Sequence, residues 1–100
     1  MAADRSYYVY IMANRRFTTL YIGVTNDLER RVWEHKNRVN PASFTARFNL
    51  CNLAYFEDCP SIADAIAWEK RLKGWRRARK DALIGVRNPQ HHDLAADWYD

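Results

Sequence analysis

Residues 19–36 read TLYIGVTNDLERRVWEHK, and the change of rhythm inside this stretch decides the fold. Thr19 to Val24 has the β-branched and aromatic density of a strand. From Asn26 the period changes. Asn26 is a good N-cap, and Glu29 stands at the third helical position of a capping box. Leu28, Val32 and His35 then recur on one helical face, with Arg31 on its flank. The helix fades in KNRVNP, where Pro41 marks a boundary.

Upstream, residues 7–12 (YYVYIM) read as a second strand and 13–18 (ANRRFT) as a polar loop, so the two strands predict an antiparallel hairpin. A symmetric loop sets Tyr10 opposite Tyr21 and Tyr8 opposite Gly23, with both tyrosines projecting from one face. A slip of one residue would separate them, because side chains alternate across a strand.

Downstream, residues 41–51 (PASFTARFNLC) read as an ordered connection with some basic character, and 52–58 (NLAYFED) as a third strand ended by Pro60. Ser61 with Asp64 makes a capping box that opens a long helix, SIADAIAWEKRLKGW, which Gly74 kinks or ends. A basic helical stretch, RRARKDALIGV, follows and closes at Asn88-Pro89. The tail HHDLAADWYD holds two aromatics and is expected to dock. The order β-β-α-β-α-α predicts the α+β class: a small three-stranded antiparallel sheet flanked by helices. With no repeat or linker, residues 1–100 read as one domain, with a core over 7–84 and a tail over 85–100.

The composition agrees. Hydrophobic residues at 48% and aromatics at 14% support a packed core and argue against disorder. The net charge of +4 is modestly basic and favours polyanionic partners. Cys51 and Cys59 match no metal or redox spacing, which argues against a disulfide framework. The opening MAADRSYY has no apolar signal segment, and no window approaches a membrane span, so the expected location is cytoplasmic.

One residue breaks the core pattern. On the second long helix, Trp75, Trp68, Leu72, Ala65, Ile62 and Ile66 form a broad apolar arc, and Glu69 falls inside it. A carboxylate there is costly unless it meets a cation, a donor or a metal. It pairs with a neighbouring base, lies where the arc reaches the surface, or serves as a hard ligand for Mg²⁺. Arg31 and His35, one turn apart, both border the apolar face of their helix.

Together these residues resemble the GIY-YIG endonuclease family, in particular its small standalone bacterial branch and the N-terminal domain of the bacterial repair excinuclease. The YIG element is intact as Tyr21-Ile22-Gly23, and Tyr8-Val9-Tyr10 stands where GIY is expected. YIGVTNDLERRVWEHK matches the family's strand-to-helix segment, and AIAWEKRLKGW its glutamate helix. The resemblance implies hydrolysis of phosphodiesters in DNA, in repair or processing, with one divalent cation, Mg²⁺ or Mn²⁺. Glu69 would hold the metal. Arg31 would present its fork to the phosphate. Tyr10 or Tyr21 would orient or deprotonate the attacking water, and His35 could relay the proton. A free phenol, with a pKa near ~10, is a poor base until a cation lowers it. Two departures stand out: Tyr8 replaces the first glycine, and Val24 stands where some members carry a lysine. Asn88 matches the family's later asparagine only loosely, and a helix-ending role is the simpler reading.

The densest basic run supplies Lys70, Lys73, Arg76, Arg77 and Lys80 as candidate contacts to a nucleic-acid backbone. No helix-turn-helix, zinc module or aromatic RNA-binding signature accompanies them. The expected partner is DNA, or RNA, with room for a protein that delivers the domain to its target. The alternative is a nucleic-acid-binding module of the same fold with little or no turnover.

Overall fold

The structure is a computed structural model that describes residues 6–99. Residues 1–5, which hold most of the MAADRSYY opening, lie outside it. The elements run β1 (Tyr7–Ala13), β2 (Leu20–Thr25), α1 (Leu28–Lys36), α2 (Phe44–Arg47), β3 (Asn52–Cys59), α3 (Ile62–Gly74) and α4 (Arg77–Arg87). The three strands form one antiparallel sheet in the order β2-β1-β3. The α+β architecture agrees with the expectation, and α2 is an addition to it.

Strand alternation divides the core into two layers. Val9, Ile11 and Ala13 face one way with Ile22, and Ala65, Leu72 and Ile84 from α3 and α4 cover them. Tyr10 and Met12 face the other way, against Leu28 and Val32 of α1 and Leu50, Leu53 and Ala95. A bulge in β3, where Met12 pairs with Leu53 and Ile11 with Tyr55, leaves Ala54 and Tyr55 both in the first layer. Both faces of the sheet are therefore covered. β2 is an edge strand, and its outer edge is where groups from the two layers meet.

The hairpin register differs from the symmetric expectation by two residues. Tyr10 pairs with Gly23 and Met12 with Tyr21. The reason lies in the turn: the Asn14 side chain accepts from the N–H groups of Thr18 and Thr19, and Phe17 tucks into the core with φ 55°. Ala13 thereby joins the ladder and Thr19 leaves it. A shift of two keeps every side chain on its expected face, so Tyr10 and Tyr21 become diagonal neighbours.

The cap of α1 is Asp27, one residue after the expected Asn26, and its carboxylate accepts from Arg30 N–H at 3.2 Å. The Thr25 hydroxyl accepts from Asp27 N–H and turns the chain one residue later. Ser61 caps α3 as expected, accepting from Asp64 N–H, and the helix stops at Gly74.

The tail docks. Asp93 accepts from Leu53 N–H and pairs with Lys36, while Trp98 packs edge-on against Phe56. Asn88 is buried, donating to the carbonyls of Ala54 and His92 and accepting from His92 N–H. It therefore fastens the tail to β3, which goes beyond ending a helix. Among the described residues no helix is long and apolar enough to cross a membrane.

Candidate active site

The site begins with a glycine. A Cβ on Gly23 would stand 2.6 Å from the Tyr10 hydroxyl and 2.7 Å from the ring carbon bearing it. Gly23 is thus the gap in β2 that lets the Tyr10 ring cross beneath the strand. Tyr10 is only 1% exposed. Burial pushes its phenol well above the ordinary value, the Tyr21 phenol adds to this, and the Arg31 guanidinium opposes it. Tyr10 therefore stays protonated at neutral pH.

His35 receives the end of that phenol. Tyr10 Oη and His35 Nε2 are 2.9 Å apart, and His35 Nδ1 lies 2.9 Å from Thr45 Oγ1. Burial and then the Arg31 charge lower the His35 pKa from 6.5 to about 4, so the ring is neutral at physiological pH. Tyr21 completes a triangle of rings, with centroids 6.3 Å from Tyr10 and 5.7 Å from His35. Tyr21 is half-buried where Tyr10 is closed off. It lines a cavity of about 310 Å³ together with Arg31, Glu34, His35, Ser43 and Phe44.

Arg31 donates from Nη1 to Glu34 Oε1 at 3.1 Å, and Arg30 holds the other oxygen at 3.2 Å. The Arg31 bond, joined by Arg30, keeps the Glu34 carboxyl below its ordinary range. The Arg31 charge also acts on the Tyr10 phenol, opposing the rise that burial gives it. The Arg31 side chain is 47% exposed. One side chain thus joins a carboxylate to open solvent.

Glu69 approaches from the other layer. The apolar arc on α3 is only partly covered: Ala65 and Leu72 are buried, whereas Ile62 and Ile66 are exposed. Ile62, Ile66, Glu69 and Lys73 follow one another at helical spacing along the margin of that arc. α3 packs against β1 and β2. Glu69 pairs with Lys73, Nζ to Oε2 at 2.6 Å. Lys73 in turn lines a second cavity with Leu20, Tyr21, Ile22, Phe44 and Lys80. Leu20 and Ile22 belong to one face of β2 and Tyr21 to the other, so this cavity wraps the strand's free edge. Through Lys73, the Glu69 side of the molecule meets the Tyr21 side.

Residues 6–82 match the model of the GIY-YIG catalytic domain. The chain belongs to the GIY-YIG family. Similar proteins include a UPF0213 protein of Natronomonas pharaonis, 36% identical over 84 residues that cover 84% of this chain and 94% of that one. Another is a UPF0213 protein of Bacillus pumilus, 36% identical over 66 residues, 66% of each chain. The solution structure of a UPF0213 protein from Bacillus halodurans superposes with a TM-score of 0.55 at 26% identity, covering 92% of this chain and 97% of that one. The three-stranded sheet with its helices is thus the GIY-YIG fold.

In this GIY-YIG domain the sheet and α1 bring Tyr10, Tyr21, Arg31 and His35 together, while Glu69 stands on α3 and is paired with Lys73, whose side chain lines the edge cavity. The basic candidates divide. Lys73 and Lys80 line the edge cavity, and Lys70 and Arg76 are exposed. Arg77 is engaged within the protein: it donates to the carbonyls of Phe17 and Thr18 and pairs with Asp81 at 2.8 Å. Sequence reasoning passed over α2. Its Thr45 bonds His35, and its exposed Phe44 lies 4.6 Å from Phe48 and 6.4 Å from Tyr21, ring centre to ring centre. The SFTARF stretch carried a signal: Ser43 is an N-cap, accepting from Ala46 N–H.

Proposed function

We propose that this protein is a divalent-metal-dependent endonuclease that hydrolyses phosphodiester bonds in DNA. The convergence of Tyr21, Arg31 and His35 on the wall of one cavity, with Tyr10 bonded to His35 behind it, carries this reading. Tyr21 is the phenol that a substrate can reach, so it orients the attacking water. Arg31 presents its fork to the scissile phosphate and stabilises the extra negative charge of the transition state. Tyr10, closed off from solvent, acts from behind by holding His35 in place.

Glu69 is the protein ligand available to the metal. Its side chain is 17% exposed and that of its partner Lys73 is 54% exposed, so the ammonium can swing into solvent. Among the described residues no three His, Cys, Asp or Glu side chains cluster around a metal position. A single carboxylate, with water and phosphate oxygens completing the shell, suits Mg²⁺ or Mn²⁺. When bound there, the ion would neutralise charge on the phosphate and the leaving oxygen. Lys73 and Lys80 flank the backbone on one side of the cut, and Phe44 and Phe48 offer rings to bases that leave the stack.

Nicking of supercoiled and branched DNA with Mg²⁺ or Mn²⁺ tests the reading. Wild type cuts, whereas Glu69→Gln and Arg31→Ala do not. Cutting that persists unchanged in both variants would be contamination. The Glu69–Lys73 pair favours a second reading, a binding module with little turnover. That reading predicts salt-dependent DNA binding that survives Glu69→Gln, with no cleavage by wild type.

A further inference from the structure

We propose that Thr45 is a positioning residue: its hydroxyl holds the tautomer of His35, and through it the direction of the Tyr10 hydroxyl. The mechanistic part rests on the nuclease reading; the tautomer does not.

Thr45 is 3% exposed, one of two buried polar residues among those described, the other being Asn88. Its hydroxyl is 2.9 Å from His35 Nδ1 and 3.2 Å from Ser43 Oγ. Counting donors along this chain settles the direction of every bond. Among the described residues Tyr10 Oη has one hydrogen-bond partner, His35 Nε2, and its buried O–H needs an acceptor. The Tyr10 O–H then points to His35 Nε2, which accepts. A neutral imidazole carries its one proton on the other nitrogen, so Nδ1–H donates to Thr45 Oγ1. The Thr45 O–H is left to donate to Ser43 Oγ, which also accepts from Ala46 N–H at 3.2 Å. Every donor in the series has an acceptor.

The opposite tautomer fits worse. With the proton on Nε2, Tyr10 Oη would accept from His35, and its own buried O–H would lose the acceptor it has in His35. A buried hydroxyl without a partner is costly. Thr45 completes the favoured arrangement by supplying the acceptor for Nδ1–H; without it that tautomer would also leave a buried donor unpaired, and its advantage over the other would be lost. The titratable and charged groups facing His35 are Arg31 and Glu34 from its own helix, Tyr10 from β1 and Tyr21 from β2. α2 contributes only hydroxyls, so its influence is on where the proton resides.

The test is the ¹⁵N spectrum of the imidazole at pH 7, where the bare ring nitrogen resonates far downfield of the protonated one. Wild type and Thr45→Ser show Nδ1–H with a bare Nε2. Thr45→Val, isosteric but without the acceptor, shifts His35 toward Nε2–H. Cleavage kinetics follow: kcat falls about tenfold in Thr45→Val while KM for DNA holds, and Thr45→Ser restores it. A wild-type ring protonated at Nε2 overturns the proposal, and this spectrum needs no variant to fold. So does an unchanged tautomer in Thr45→Val. A wild-type protein that cuts nothing ends the nuclease reading while leaving the tautomer assignment decided by the spectrum.

Discussion

Tyr10 and Gly23 are cross-strand partners, and the phenol of the first occupies the space that a side chain on the second would fill. The glycine of YIG is therefore a steric requirement of the buried tyrosine on the neighbouring strand. Gly23→Ala puts a methyl within 3.0 Å of three Tyr10 atoms. The ring cannot step aside, because it is buried and bonded to His35. Overpacking of this kind costs about 1–3 kcal/mol. Urea unfolding should show that loss, and cleavage should fall further than stability does. An alanine variant as stable as wild type would mean the ring has somewhere else to go.

Tyr10 and Tyr21 should separate in their response to loss of the hydroxyl. Tyr21→Phe removes the phenol that lines the cavity and should abolish turnover with DNA affinity retained. Tyr10→Phe keeps the buried ring and removes only the partner of His35 Nε2. It should cost about 0.5–1.5 kcal/mol in stability and lower kcat partially. Because burial holds the Tyr10 phenol protonated, its removal should leave the alkaline limb of the pH–rate profile in place. Equal, complete loss in both variants would contradict the division of labour between them.

His35 makes stability pH-dependent in a definite direction. Its folded pKa, about 4, lies below its ordinary value of 6.5. Between those values the unfolded chain binds a proton that the folded protein refuses. The contribution is complete above pH 6.5, declines as pH falls toward 4, and changes no further below that. His35→Gln should flatten the melting-temperature profile over this window relative to wild type. A wild-type profile already flat there would show that the imidazole is solvated.

The sheet and the main helices were legible because their signals are periodic. Alternation in YYVYIM put Tyr10 and Val9 on opposite faces, and the Ser61–Asp64 spacing marked the start of α3. What failed depended on contacts outside the local window. The hairpin register follows from Asn14 capping the turn and Phe17 entering the core, and neither is a periodic feature. α2 spans four residues, too few to show a helical period, yet it supplies the partner of His35 from ten positions away. Glu69 was conspicuous by its place in an apolar arc. That the arc leaves Ile62 and Ile66 exposed follows from how α3 lies along an edge strand, which no single helix reveals.

Basic residues of one run should fall into two classes. Arg77 ties α4 to the hairpin turn, donating to the carbonyls of Phe17 and Thr18. Arg77→Ala should lower stability by about 1.5–3 kcal/mol, the range for hydrogen bonds from a charged donor, and leave the salt dependence of DNA binding as it is. Lys73 and Lys80 line the edge cavity. Replacing either by alanine should leave the melting temperature nearly unchanged. Each should reduce the slope of log affinity against log salt on duplex DNA by about 0.9, one phosphate contact apiece. Fluorescence anisotropy over a salt series separates the classes. If Arg77→Ala changes the slope as the lysine variants do, the guanidinium faces the nucleic acid as well as the turn. If the lysine variants leave the slope alone, the phosphate backbone runs elsewhere, and the exposed Lys70 and Arg76 become the next positions to replace.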